Sequence, residues 1–424
     1  MSKKVIALCL AAFLVCIAIV VWAQEKSLNR VVSETLVAQI DPSSFMKESF
    51  TVSPDNKRVA YAAQEGGKWF VVVDGKREKP YHGIVEGSPI FSPDSKRVAY
   101  GARVGDKWFV VVDGKASKQY DGIAEGTPIF SPDSKRVAYV AWAEVKQFAA
   151  VDGKEGKQYD GIMKGTSIFS PDSKRVAYAA QEGGKWFVVV DGKEGKQYDD
   201  TGVPIFSPDS KRVAYGARVG DKQFVSVDGE EKKQYDGILE GSLIFSPDSR
   251  RVAYVAFVGE KRFVVVDGKE EEQCDGIAEG TPIFSPDSKR VAYGARVGKK
   301  WLVVVDGEKG KQYDAIGTPI FSPHSKRVTY RARVGNKQFV VVDGKEGEQY
   351  DAVYALVFSP DSRRVAYGAR AGKKRFVVVD GKEGKEYDGI LTLGGGRIIF
   401  DSPDSLHYLA WKGDEIYLVE ERIK

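Results

Sequence analysis

From Glu48 onward, apolar residues fall in short runs separated by polar turn residues, and no window keeps the period of an amphipathic helix. One unit shows the pattern. Thr127-Pro128-Ile129-Phe130 is a short apolar run, and Ser131-Pro132-Asp133-Ser134 turns the chain, with Pro fixing φ and Asp and Ser able to bond nearby backbone N–H groups. Lys135 to Trp142 reads as a second strand. A loop such as Val104-Gly105-Asp106-Lys107 in the preceding unit reverses it into a third, Trp108 to Val112, which Asp113-Gly114 closes with a hairpin signal. Lys118-Gln119-Tyr120-Asp121 reads as a short fourth strand, and Gly122 to Gly126 as the lead into the next unit.

This unit recurs. Ser-Pro pairs begin at Ser53, Ser92, Ser131, Ser170, Ser207, Ser246, Ser285, Ser322, Ser359 and Ser402, at steps of 39, 39, 39, 37, 39, 39, 37, 37 and 43 residues. Four short strands per period match one blade of a β-propeller, whereas helical-pair, leucine-rich and β-helical solenoids need helices or other periods. Runs such as Val71-Val72-Val73 do not alternate, as expected for a blade buried on both faces. The fold class is therefore all-β, a β-propeller of ten four-stranded repeats. Ten exceeds the usual four to eight blades, so two smaller propellers are an alternative, but no linker interrupts the middle of the chain and a single ring is favoured.

The ends bear on closure. The last unit offers Arg397 to Phe400, Leu406 to Trp411 and Glu415 to Val419, one strand short of a blade. Residues 30 to 40, rich in β-branched side chains but also compatible with a helix from Ser33, could supply the missing outer strand as a clasp. The expected domains are a signal peptide over 1–23, a lead-in segment with the clasp over 24–48, and the repeats over 49–424.

Lys3 and Lys4, the apolar run Val5 to Val21 and Val21-Trp22-Ala23 form the secretory pattern, with cleavage before Gln24; an uncleaved anchor is the alternative. A periplasmic or secreted location follows, with membrane tethering as the alternative and no stable membrane insertion once the signal is cleaved. Cys9 and Cys16 lie in this leader, so Cys274, at a position where other repeats carry Tyr120, Tyr159 or Tyr235, would be the one cysteine left, a drifted tyrosine rather than a reactive thiol. The chain has 64 basic and 59 acidic residues, too even a balance for a nucleic-acid partner.

The stretch Phe91-Ser92-Pro93-Asp94-Ser95-Lys96-Arg97-Val98-Ala99-Tyr100 resembles the WD40-like propeller repeat of exported bacterial proteins, the TolB type also attached to prolyl oligopeptidases. The family usually carries Gly after Ser-Pro-Asp, where this chain has Ser in nine repeats and Asn56 in the first; His324 replaces one Asp. The resemblance implies an exported binding platform and does not imply catalysis.

Candidate chemistry is sparse. No Gly-x-Ser-x-Gly elbow accompanies the repeats. His82, His324 and His407 occupy three different places in the unit, and no metal, cofactor or catalytic residue is expected. The repeated Asp of Ser-Pro-Asp suits a turn rather than a calcium site. The informative positions vary while their surroundings repeat. Three residues after the second-strand Tyr stand Arg103, Trp142, Arg218, Phe257, Arg296, Arg333 and Arg370 among others, and five residues later Trp108, Trp186, Arg262, Trp301 and Arg375. Flanking a short hairpin loop, the two sets should face each other, with Arg103 over Trp108, Arg296 over Trp301 and Arg262 against Phe257 as cation–π pairs. These twelve residues are the candidate binding set, on a face shared with Glu86, Glu125, Glu240 and Glu279. Alternatively, they only cap the apolar layer between blades.

The reading is an exported, non-enzymatic propeller, expected to be a monomer, that binds a protein or a glycan through the face carrying the loops between strands two and three. The alternatives are an enzyme acting on polysaccharide at the central channel, and an envelope-associated scaffold.

Overall fold

A computed structural model describes residues 30–41 and 43–424. The signal-peptide expectation, with Cys9 and Cys16, lies outside these residues. The described chain forms ten antiparallel sheets in sequence order, one per repeat, closed into a single ten-bladed ring. Each blade is a meander. In blade 2, Val98–Val104 pairs with Lys107–Val112, which pairs in turn with Lys115–Ala116.

The repeated turns dictate this shape. Ser95 (φ 63°) closes the Ser-Pro-Asp-Ser turn in the left-handed region, and Asp113 (φ 50°) with Gly114 (φ 76°) provides two consecutive left-handed residues, the requirement of a tight hairpin matched to strand twist. Asp94 holds its own turn: Ser92 Oγ donates to Oδ1 at 2.6 Å, as does the Lys96 N–H at 3.1 Å, while Ser92 Oγ accepts the Arg97 N–H at 2.9 Å. The Ser92 hydroxyl, followed by the Lys96 amide, keeps the Asp94 carboxyl below its ordinary 3.8.

The strand assignment differs from expectation at both edges of the blade. The outermost strand is Lys115–Ala116, and Tyr120 adds only a single bridge to Trp108. Gly122–Ile123 is not a connector: it opens the next blade's innermost strand, which pairs at Gly122↔Trp142 and Ile123↔Ala141, leaves the sheet, and rejoins it at Ile129↔Ala138. The intervening residues bulge from the sheet. Adjacent bulges touch through backbone, with the Gly126 N–H donating to Glu86 O at 3.4 Å, whereas adjacent outermost strands meet through long side chains such as Lys118 and Glu155. The bulged strands therefore line the axis, and Glu86, Glu125, Glu240 and Glu279 sit on the channel wall at mid-height rather than on the hairpin face. The uneven repeat length arises here: the 37-residue steps fall on blades 5, 8 and 9, where the innermost strand has a shorter excursion.

Blades stack through apolar layers. Between blades 2 and 3, Tyr120 packs edge-on against Tyr139's neighbour Phe148 at 5.5 Å and lies 5.9 Å from Tyr139, their hydroxyls 3.2 Å apart. Such aromatic contacts contribute about 0.5–1.5 kcal/mol beyond the area they bury. The joint between blades 6 and 7 has Cys274 and Leu302 at the places of Tyr and Phe, so Tyr293 there lacks the two aromatic partners present at other joints. Cys274 is buried, its thiol donates to Gly276 O at 3.2 Å, and burial pushes its pKa up, which suits packing rather than reactivity.

Each of blades 1 to 9 is also fastened to the next by one arginine. Arg97 Nε donates to Asp113 of its own blade at 2.8 Å, Nη1 donates to the Ser134 and Lys135 carbonyls of the next blade, and the guanidinium lies 5.2 Å from the next blade's Phe130 ring. The Asp94 N–H donates to Ser134 Oγ at 2.8 Å. His324 preserves that bond with its own N–H to Ser362 Oγ, which explains why the substitution is tolerated.

The ring closes as the clasp reading expects. Arg30–Gln39 is a strand, not a helix, and pairs antiparallel with Glu415–Ile423 as the outer strand of blade 10, satisfying an edge that would otherwise be open. Arg30 pairs with the fully buried Glu421 at 3.0 Å, and Tyr408 Oη donates to the same carboxylate at 2.6 Å. Burial opposes ionisation of Glu34, but hydrogen bonds from Lys412, Lys385 and Tyr387 outweigh it and bring its pKa from 4.5 to about 2. Across the seam, Asn56 Nδ2 donates to Arg397 O at 2.9 Å and Oδ1 accepts the Arg397 N–H at 3.1 Å, so the first repeat carries Asn where Ser joins the other blades. Phe50, Tyr61, Leu391, Leu409 and Ile416 fill the core of this joint.

Candidate binding face

The loops between the second and third strands and the crossings between blades emerge on one face, because Tyr120 bridges Trp108 immediately before Gly122 enters the next sheet. On this face the variable positions meet across the ladder: Arg103↔Trp108, Trp142↔Gln147, Gln181↔Trp186, Arg218↔Gln223, Phe257↔Arg262, Arg296↔Trp301, Arg333↔Gln338 and Arg370↔Arg375.

Their surroundings differ. Arg103 lies 5.4 Å from the Trp108 ring and Arg296 5.8 Å from the Trp301 ring, as expected for cation–π pairs. Phe257 does not receive Arg262 this way. Its ring covers Gly237 of the innermost strand, as Trp142 covers Gly122, where any Cβ would collide with the aromatic atoms. The partner glutamines serve the scaffold: Oε1 of Gln147, Gln223 and Gln338 accepts the N–H of Ile162, Ile238 and Val353 in the following blade. Trp108 packs against the apolar layer between blades 2 and 3. Arg262, Arg296 and Arg333 are exposed, and Arg103, Arg218, Arg370, Arg375, Trp142, Trp186 and Trp301 are half-buried.

A row of aspartates fixes the hairpins in place. Asp121 accepts Lys107 Nζ of the preceding hairpin at 2.5 Å and the Glu144 N–H of the following one at 2.7 Å. Lys107 first, then that amide, lowers the Asp121 pKa. His82 takes the same place in blade 2, where Nδ1 accepts the Gly105 N–H at 2.7 Å.

Sequence reasoning missed the exposed apolar tips of this face. Val104, Val145, Val219, Val258, Val297 and Val334 stand at the hairpin tips of six blades, between 43% and 85% exposed, next in sequence or ladder to the Arg and Trp pairs. Val-Gly at five of these six loops carried that signal, but within the linear sequence it reads as turn composition.

Little else on the described residues suggests chemistry. His82, His324 and His407 lie in three separate blades; His407 is buried at the closing seam, with Nδ1 2.9 Å from Asp401 and Nε2 2.9 Å from the Asp55 carbonyl. Among the described residues, no group of three or more His, Cys, Asp or Glu is placed to hold a metal ion, and no helix is long and apolar enough to cross a membrane.

The protein is a ten-bladed β-propeller with an N-terminal clasp. Similar solved structures include a eukaryotic initiation factor, at 14% identity over 74% of this chain and 91% of that one with a TM-score of 0.48. TolB from Acinetobacter baumannii is similar at 17% identity over 67% and 82%, TM-score 0.30, and the β-propeller domain of the Trilobed protease from Pyrococcus furiosus at 15% over 63% and 95%, TM-score 0.32. At these values the likenesses carry no argument about activity. No family model and no curated protein sequence matches the chain.

Proposed function

We propose that this propeller is an exported, non-enzymatic binding platform that engages a protein partner through its hairpin face. The observation that carries the reading is the set of exposed valines at successive hairpin tips beside arginine and tryptophan pairs, apolar side chains next to directed hydrogen-bond donors and aromatics as protein interfaces combine them. A glycan is the weaker occupant, since Arg103 and Arg296 already cover ring faces of Trp108 and Trp301 that a sugar would stack on. The near-identity of the repeats supports a non-enzymatic role, and the charged and apolar pattern of residues 1–23 supports export.

The test compares three proteins as bait for cross-linking in extract of the source cells, beside a glycan array. They are the wild type, the Val104→Ser, Val219→Ser, Val258→Ser variant, and a turn-face control with Lys96→Ser and Lys135→Ser. Loss of one specific partner in the valine variant alone, at unchanged melting temperature, is the expected result. Retention by the valine variant, equal loss in the control, or array binding that survives the valine change would reject the hairpin face as a protein site.

A further inference from the structure

One blade breaks the symmetry of the channel wall. In blade 5 the innermost strand pairs first at Asp200-Thr201 and carries only Gly202-Val203-Pro204 before it pairs again at Ile205, where blade 2 pairs at Gly83-Ile84 and has a longer bulge from Val85 to Pro89. The residue after the first pairing point normally covers the middle of the second strand. A Cβ on Gly101 would strike Val85, one on Gly294 would strike Ala278 and Ile316, and one on Gly368 would strike the Tyr354 ring. Gly216, at the same place in blade 5, faces Gly202, whose N–H donates to the Gly216 carbonyl at 2.9 Å, and a Cβ there would meet nothing within 4 Å. Two facing glycines and a shortened bulge leave a notch of about 630 Å³ opening on the channel, within the ~300–1,000 Å³ range of small-molecule sites.

The lining is amphipathic. Met163 of blade 4, Val203, and Leu239 and Leu243 of blade 6 make apolar walls. Thr201, on the notch wall at 4% exposure, stands where the other innermost strands carry Ile84, Ile123, Ile162, Ile238 and Ile277, and its Oγ1 has no hydrogen-bond partner. Asp200 stands where those strands carry glycine, and Arg218 reaches it only at 3.9 Å. Glu240 is exposed on the rim without an ion-pair partner among the described residues. Two carboxylates against one guanidinium leave the polar end with net negative charge.

We infer that this notch is a binding site for a small aliphatic primary amine, its carbon chain between Met163 and Leu239 and its ammonium group at Asp200 and Glu240. The site shares Arg218 with the edge of the hairpin face, but it uses none of the valine tips and does not depend on the platform reading.

Ligand-observed NMR and calorimetry with n-hexylammonium, hexanoate and hexan-1-ol on the wild-type chain test it. Saturable binding of n-hexylammonium, at least tenfold tighter than hexanoate, is expected. Gly216→Val, which installs the residue found at this place as Val140 and Val255, should abolish binding without lowering the melting temperature, and Gly202→Ala provides a milder second filling. Glu240→Gln should weaken n-hexylammonium severalfold and leave hexan-1-ol unchanged. Absent or non-saturable amine binding, equal affinity for hexanoate, or full binding by folded Gly216→Val and Gly202→Ala would overturn the site.

Discussion

Arg97 and Arg103 flank one strand of blade 2, and their environments are opposite. Arg97, on the turn face, is committed to the scaffold: its guanidinium bonds Asp113, two carbonyls of the next blade and a phenylalanine ring. The same set recurs in blades 1 to 8, as with Arg58 on Asp74, Ser95 and Phe91, and Arg290 on Asp306, Ser325 and Phe321. Arg103, on the hairpin face, has one weak bond to the His82 carbonyl at 3.3 Å and a tryptophan beneath it. The turn face repeats because each side chain there is a fastener that the neighbouring blade must match. The hairpin face is held by its aspartates and glutamines, which leaves its arginines and valine tips free to differ from blade to blade.

The contrast is broken most severely at the closing seam, where the fasteners are not repeated. Arg30→Ala would strand Glu421, whose side chain is fully buried, with Tyr408 as its one remaining side-chain donor among the described residues. Removing one partner of a buried ion pair costs about 3 kcal/mol or more. A large fall in the melting temperature is expected, with faster amide exchange along Glu415–Ile423. A change no greater than that of a surface substitution would mean that the clasp does not close the ring.

Within the repeats, Arg97→Ala removes an ion pair, two charge-assisted bonds to carbonyls and a ring contact at a partly exposed site. A loss of about 2 kcal/mol is expected in urea unfolding. Arg97→Lys should recover little of it, since an ammonium cannot span Asp113 and the next blade's carbonyls together.

How much of this was legible follows the same division. The Ser-Pro-Asp turn, the Asp-Gly hairpin and the clasp could be read because local turn chemistry and one missing strand suffice to specify them. The facing pairs followed from counting back from a hairpin. The innermost strand was half read because Gly122-Ile123 and Ile129-Phe130 are parts of one strand parted by a bulge: Ile129-Phe130 reads as a whole short strand, and Gly122-Ile123, set apart from it, reads as connector. The Gly202 and Gly216 pair was invisible for a related reason: two glycines fourteen residues apart say nothing until the sheet sets them face to face. Both misses lie on the channel, where the bulge decides which residues become wall.

Acid separates the faces by mechanism. Asp94, Asp133 and Asp172 are lowered first by serine hydroxyls, Asp121, Asp160 and Asp199 first by lysines. Depressed carboxylates stabilise the fold above their unfolded pKa near 3.8, and that stability is lost as pH falls through the lower folded values, so both rows weaken the protein below about pH 4. Salt distinguishes them. Between 0.1 M and 1 M the Debye length falls from about 10 Å to about 3 Å, so carboxyl NMR titrations should show Asp121 and its counterparts rising toward 3.8 while Asp94 and its counterparts stay low. Equal movement in both rows would remove the distinction between hydroxyl-held and ion-paired aspartates.

The smallest expected effect is the most discriminating. Arg296→Ala changes the same residue type as Arg97→Ala, but its guanidinium is exposed, with one bond to the Asp275 carbonyl at 3.0 Å and Trp301 at 5.8 Å. Nothing in the next blade depends on it. Stability should change by no more than about 0.5 kcal/mol, the range of surface substitutions away from special contacts, and the Trp301 fluorescence maximum should shift as its covering cation leaves. A loss comparable to that of Arg97→Ala would make the arginines of both faces fasteners. The hairpin face would then be a cap on the apolar layer, and the case for a partner would rest on the valine tips alone.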